Sequence, residues 1–313
     1  MTQMEPGPAG PGQVTPPPLA PGSPPSGFAS ISRSGSSGAG PAHARPPVTV
    51  IAGPFLDSPG VPPTTRDQAW RWVLYAAAGF LIGQVAASIF GVAAGAIAGK
   101  SSAQLTVIAR STQPPEWYVL STLLGIWLGY VGAPWLASRT AGTKHFLRDI
   151  GLRFRPIDAV LGVIIGVASQ FGVDLLYAPF QHDISGYNAP TQKLIGASHG
   201  GGGVFLIVLA SVVLAPCAEE LCFRGVLLKG LVRLGAPPTL GPSTRRNVRV
   251  AVAIVLDGLL FGLAHGEWVQ LAGLALFGVV LATMSYRTGR LGMNMVAHGS
   301  FNLIAVIAFY HWY

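Results

Sequence analysis

Charge is what this sequence has least of. Asp, Glu, Lys and Arg make up 10% of its 313 residues, against about 25% in an ordinary soluble chain. Half of the residues are apolar, they fall in long blocks, and the mean hydropathy is +0.49. That excludes a soluble protein with a large core and points to a polytopic membrane chain. The few charges do not balance, leaving +8 net and a pI near 9.9. No basic stripe or binding motif accompanies them, and they sit at the ends of apolar segments, so no nucleic-acid partner is expected. Cysteine is almost absent as well. Cys217 and Cys222 lie five residues apart and point about 140° away from each other on a helix, which argues against a disulfide or a two-cysteine metal site.

What is present falls into unlike parts. Residues 1–65 are rich in Pro, Gly and Ser and cannot bury a core, so they are expected to form a disordered cytoplasmic tail. They lack the charged start, apolar stretch and cleavage site of a secretory leader, which leaves the first membrane helix as the expected insertion signal. Residues 66–139 would supply two transmembrane spans and residues 140–313 the functional core. A span needs about 20 apolar residues. Seven stretches qualify, at 70–97, 116–137, 157–179, 203–232, 248–268, 269–286 and 291–311. An eighth span or a re-entrant piece stays open. Gly79, Gly83, Gly91 and Gly95 suit close helix contacts in lipid.

The fold class expected is therefore all-α, a polytopic transmembrane helix bundle. Arg139, Lys144, Arg148, Arg153 and Arg155 occupy one connection, Arg233, Arg245, Arg246 and Arg249 a second, and Arg287 and Arg290 a third. The alternating connections hold only Lys100, Arg110 and Lys193. The excess of positive charge on cytoplasmic loops then places the N-terminus in the cytoplasm, and the plasma membrane is the expected location.

Against this background a few polar groups stand out. An ionisable side chain inside a membrane helix costs a few kcal/mol even on lenient scales and marks a functional site by default. Span four carries Glu219, Glu220 and Arg224; span five carries Asp257 and His265; span seven carries His298 and Asn302; span three carries Asp174 near its outer end. Glu220 and Arg224 are four apart and share a helix face, as do Phe261 and His265, and His298 and Asn302. Asp257 lies within about 80° of the His265 face, which leaves a supporting role open.

These groups match two chemistries that hydrolyse an amide. A glutamate in low dielectric is a competent general base, with a histidine sharing the proton of the attacking water and an imidazole and an amide stabilising an oxyanion. Alternatively, Glu219, His265 and His298 are the ligand types of a catalytic Zn2+ with one open position. A structural Glu–Arg pair and packed histidines are the bland readings of the same residues. Helix geometry adds a difficulty. At 1.5 Å per residue, His265 lies about 24 Å from the inner start of span five and Glu219 about 20 Å from the outer start of span four. In a core about 30 Å thick that leaves up to ~15 Å between them, unless span four tilts or continues past Arg224 into the cytoplasm.

The motifs "EELCFR" (219–224), "FGLAH" (261–265) and "HGSFN" (298–302) resemble, in order and helical placement, those of the CPBP family. That family holds CAAX prenyl endopeptidases and bacteriocin-processing intramembrane proteases. The resemblance covers roughly residues 140–310. It implies Glu219 as general base, His265 as its partner in activating water, His298 and Asn302 as the oxyanion pair, and Glu220 with Arg224 as positioning groups. The expected activity is intramembrane endopeptidase action, and the expected partners are the lipid bilayer and a membrane-anchored or amphipathic peptide substrate. The family has been described both as zinc-dependent and as metal-free; no His-Glu-x-x-His box is present, which leans toward the latter. Two other classes compete. A non-hydrolytic scaffold would use the same cluster to bind a partner. A proton-coupled transporter would use its carboxylates but commonly shows duplicated halves, which this sequence lacks.

Overall fold

The computed structural model describes residues 62–180 and 200–312. The tail proposed for 1–65, except its last four residues, and the connection carrying Lys193 lie outside the described residues. Those described are all-helical, with no strand among them. Seven helices are long and apolar enough to cross a membrane, each within a few residues of the stretch read from the sequence.

The first is α1 (Arg66–Ile97), opened by a Thr65 cap whose side chain accepts from the Gln68 amide. A short amphipathic α2 (Ser102–Arg110) with no buried residue follows. Next come α3 (Glu116–Ala141), the one-turn α4 (Phe146–Ile150) and α5 (Pro156–Tyr177). The fourth span, α6 (Gly201–Gly235), is 35 residues long. It is succeeded by α7 (Thr244–Ala264), α8 (Leu271–Thr288) and α9 (Gly292–Trp312).

Small residues set the packing. Lipid gives apolar side chains no reason to leave it, so membrane helices associate where backbones can come close. A Cβ on Gly129 of α3 would overlap the Gly79 carbonyl of α1, and Gly125 meets the backbone of Ala86 and Ala87. Gly258 of α7 meets Ala275, Gly278 and Val279 of α8, and Gly166 of α5 meets the Ala297 carbonyl of α9. Three tight pairs result: α1 with α3, α7 with α8, and α5 with α9.

The long α6 is where the pairs meet. Phe223 sets its ring edge-on to Tyr130 of α3 and to Phe261 of α7. Lower on α6, the buried Lys229 donates to the Asp149 carbonyl and lies 5.9 Å from the Trp72 ring. This ties the helix to α4 and α1.

Two π turns interrupt α6, at Ala210–Leu214 and Phe223–Leu227, one on each side of the two glutamates. The first has a covalent cause. Pro216 has no N–H to give the Val212 carbonyl four residues back, and its ring crowds that carbonyl. The helix widens, and the Ala215 N–H reaches back five residues to Ala210. The displaced Val212 carbonyl then sits against Gly299 of α9, where a Cβ would come within 2.5 Å of it.

Candidate active site

Glu219 and Glu220 lie on the α-helical stretch between the two π turns. Adjacent residues on a helix diverge by about 100°, so the two carboxylates enter different surroundings. Glu220 is fully buried and held on every side. Its Oε1 accepts from Arg224 Nη1 at 2.9 Å and faces His298 Nδ1 at 3.2 Å. Its Oε2 accepts from Asn294 Nδ2 at 3.1 Å.

Arg224, one turn along α6, is equally buried. Besides Glu220 it donates from Nη2 to the Gly278 carbonyl at 3.1 Å, and its Nε lies 3.4 Å from Asp257 Oδ2. The guanidinium carbon stands 4.3 Å from the centre of the Phe261 ring, a cation–π contact worth most where water is excluded. Asp257, left open by its helical angle, is thus packed on the arginine.

Glu219 is different. Its side chain keeps 15% exposure, and its Oε2 faces His265 Nε2 at 3.8 Å and His298 Nε2 at 3.7 Å. Neither distance is a hydrogen bond. Both rings are oriented from behind. His265 Nδ1 is 2.8 Å from the Phe261 carbonyl, an atom that only accepts, so the proton is on Nδ1. His298 Nδ1 faces the Glu220 carboxylate, which assigns its proton the same way. Each histidine therefore turns Nε2 toward Glu219. His265, at the end of α7, keeps 29% side-chain exposure against 4% for His298. Phe261 touches both rings edge-on, and Phe277 of α8 covers His298 from the other side.

Asn302, one turn after His298, donates from Nδ2 to the Ser211 carbonyl at 2.8 Å, inside the first π turn. Asp174 lies on α5 and accepts from Gln170 Nε2 at 3.0 Å. The depth difficulty dissolves, because α6 runs eleven residues beyond Arg224 and Glu219 and His265 do face each other. Both cysteines are free.

One contributor goes unread in the sequence. Asn294, fully buried, donates to Glu220 and, at 2.7 Å, to the Leu281 carbonyl of α8. Its signal was available: Asn294, His298 and Asn302 stand at i, i+4 and i+8, along one face of α9.

A zinc ion would have to be held by Glu219, His265 and His298. Among the described residues no group of three His, Cys, Asp or Glu side chains is arranged to hold a metal ion. The residues as placed do not fit the ion.

Residues 201–304 match the family model for type II CAAX prenyl endopeptidase Rce1-like proteins. This stretch of the chain is similar to that family. The matched segment starts at α6 and ends within α9, narrower than the 140–310 suggested by the motifs, and contains every side chain of the cluster. The seven membrane-length helices mark an integral membrane protein, and the matched stretch is similar to a protease family. No curated protein and no solved structure matches the chain.

Proposed function

We propose that the protein is an intramembrane endopeptidase in which Glu219 activates water to cleave a membrane-anchored or amphipathic peptide. One observation carries this. Glu219 Oε2 lies 3.8 Å from His265 Nε2 and 3.7 Å from His298 Nε2, and both nitrogens are acceptors once both Nδ1 atoms hold their protons. Glu219 Oε2 is buried and has no hydrogen-bond partner. Acceptors at that spacing call for a donor between them, and a water molecule beside Glu219 supplies two protons, one for its carboxylate and one for a histidine Nε2.

In the reaction, water attacks the scissile carbonyl carbon while Glu219 takes its proton and His265 Nε2 orients it. The carbonyl oxygen becomes an oxyanion. The second N–H of Asn302, whose first is spent on Ser211, stabilises it, while His298, with its proton on Nδ1, turns Nε2 to the water as an acceptor. The proton on Glu219 then passes to the leaving amide nitrogen, and the C–N bond breaks. Glu220 and Arg224 take no proton; they hold His298 in place.

The test compares the N-termini of membrane proteins and secreted peptides in cells carrying wild type or Glu219→Gln at matched expression. N-termini that disappear in the variant, with uncleaved precursors accumulating, support the protease. A farnesylated CAAX peptide offered to the purified protein then asks whether the family's eponymous substrate is also cut. Identical profiles, with a phenotype seen only on deletion, would mean a scaffold that uses the cluster for binding.

A further inference from the structure

We infer that Asn294 is a positioning residue, setting the tautomer and ring orientation of His298 by anchoring Glu220. The inference rests on the role given above to His298. Four observations support it. Asn294 is fully buried. Both of its amide hydrogen bonds run from Nδ2 to acceptors on other helices, Glu220 Oε2 at 3.1 Å and the Leu281 carbonyl at 2.7 Å. The second carboxylate oxygen of the same Glu220 faces His298 Nδ1 at 3.2 Å. Finally, Asn294 Oδ1 is buried and has no hydrogen-bond partner.

The last point separates positioning from plain stability. A buried amide oxygen without a partner is destabilising. The amide is thus a poor choice for packing and a good one for holding a carboxylate. A carboxylate has a soft terminal torsion, and Arg224 binds Glu220 only through Oε1, so it can swing about that contact. Asn294 pins Oε2 and removes this freedom. With Glu220 fixed, Oε1 presents an acceptor to His298 Nδ1, and Nε2 is left facing Glu219. A partner that orients a catalytic imidazole in this way commonly matters by about 10–100-fold in activity, and more where loss of it allows the wrong tautomer.

The experiment is histidine 15N NMR on the full-length protein in lipid nanodiscs, with the His298 signals assigned by their loss in His298→Gln. Wild type is expected to show His298 in one neutral form with the proton on Nδ1. Asn294→Leu, close in volume and without donors, is expected to show a mixture of tautomers. Its turnover of the precursor that accumulates with Glu219→Gln should fall about 10–100-fold, with KM within about twofold. Asn294→Gln, which keeps the amide, should recover part of both. A single Nδ1-protonated form in Asn294→Leu overturns the inference, whatever happens to activity. If Asn294→Leu does not fold, the smaller Asn294→Ser carries the same spectral test. Because the tautomer is read without substrate, failure of the Glu219 assignment and failure of this one are distinguishable.

Discussion

Replacing Arg224 by methionine tests the electrostatic core of the cluster. Within this buried region three carboxylates, Glu219, Glu220 and Asp257, gather around one guanidinium. Arg224→Met keeps the length of the side chain and removes the charge. Glu220 retains His298 and Asn294 as partners, but Asp257 loses the only ion-pair partner shown for it and has no hydrogen bond on either oxygen. The Gly278 carbonyl gives up one of its two donors, which matters less. Breaking a buried ion pair from one side costs about 3–5 kcal/mol, since the remaining charge cannot return to water. Asp257→Asn should cost far less, because Arg224 keeps Glu220.

In the double variant the orphaned charge is gone, so part of the loss is recovered, with a coupling of roughly 1–3 kcal/mol. Unfolding by SDS titration in mixed micelles, followed through the seven tryptophans, measures all four corners of the cycle. A loss below about 1 kcal/mol for Arg224→Met would refute the account, as would strict additivity.

Two further outcomes follow from the geometry. Stripping purified protein with a zinc chelator should leave cleavage unchanged, since among the described residues no group of three His, Cys, Asp or Glu side chains is arranged to hold a metal ion; activity lost on stripping and restored by zinc alone would overturn that. Gly129→Val should cost about 3 kcal/mol, the upper end for overpacking, because the added carbons meet the backbone of Gly79 and Gly83 rather than a side chain that can move. The thermal midpoint reads this directly, and an unchanged midpoint would mean that the α1–α3 contact is loose.

Much of this architecture could be read from the chain. Each apolar block long enough to span a bilayer became one helix, because in lipid the backbone has no other way to satisfy its hydrogen bonds. The pairing of Glu220 with Arg224 also followed from spacing alone, since four residues along a helix bring two side chains together regardless of tertiary context. Asp257 was not decidable that way. An angle of about 80° from His265 names a sector, and only the packing of α7 against α6 and α8 says what fills it. Asn294 was missed for a related reason. An asparagine in a membrane helix reads as general interhelical glue, and nothing local says that its partner is a glutamate 74 residues away.

The two π turns were the least legible feature, and they bear most on the site. A π turn inserts about one residue into a helix, which rotates everything beyond it by roughly 100°. A helical wheel drawn through α6 therefore fails at Ala210 and again at Phe223. The short stretch between them has its own phase, and that stretch carries Glu219 and Glu220. The first turn also releases backbone acceptors. The Ser211 carbonyl takes the amide of Asn302, while the Val212 carbonyl closes on the bare backbone of Gly299. Those two residues flank "SF" in the "HGSFN" motif, directly after His298. Pro216 upstream of the glutamates and Gly299 beside the histidine are thus two halves of one contact, which sets how closely α9 can bring His298 to Glu219. The spacing of the motif on α9 has its counterpart in a defect of α6.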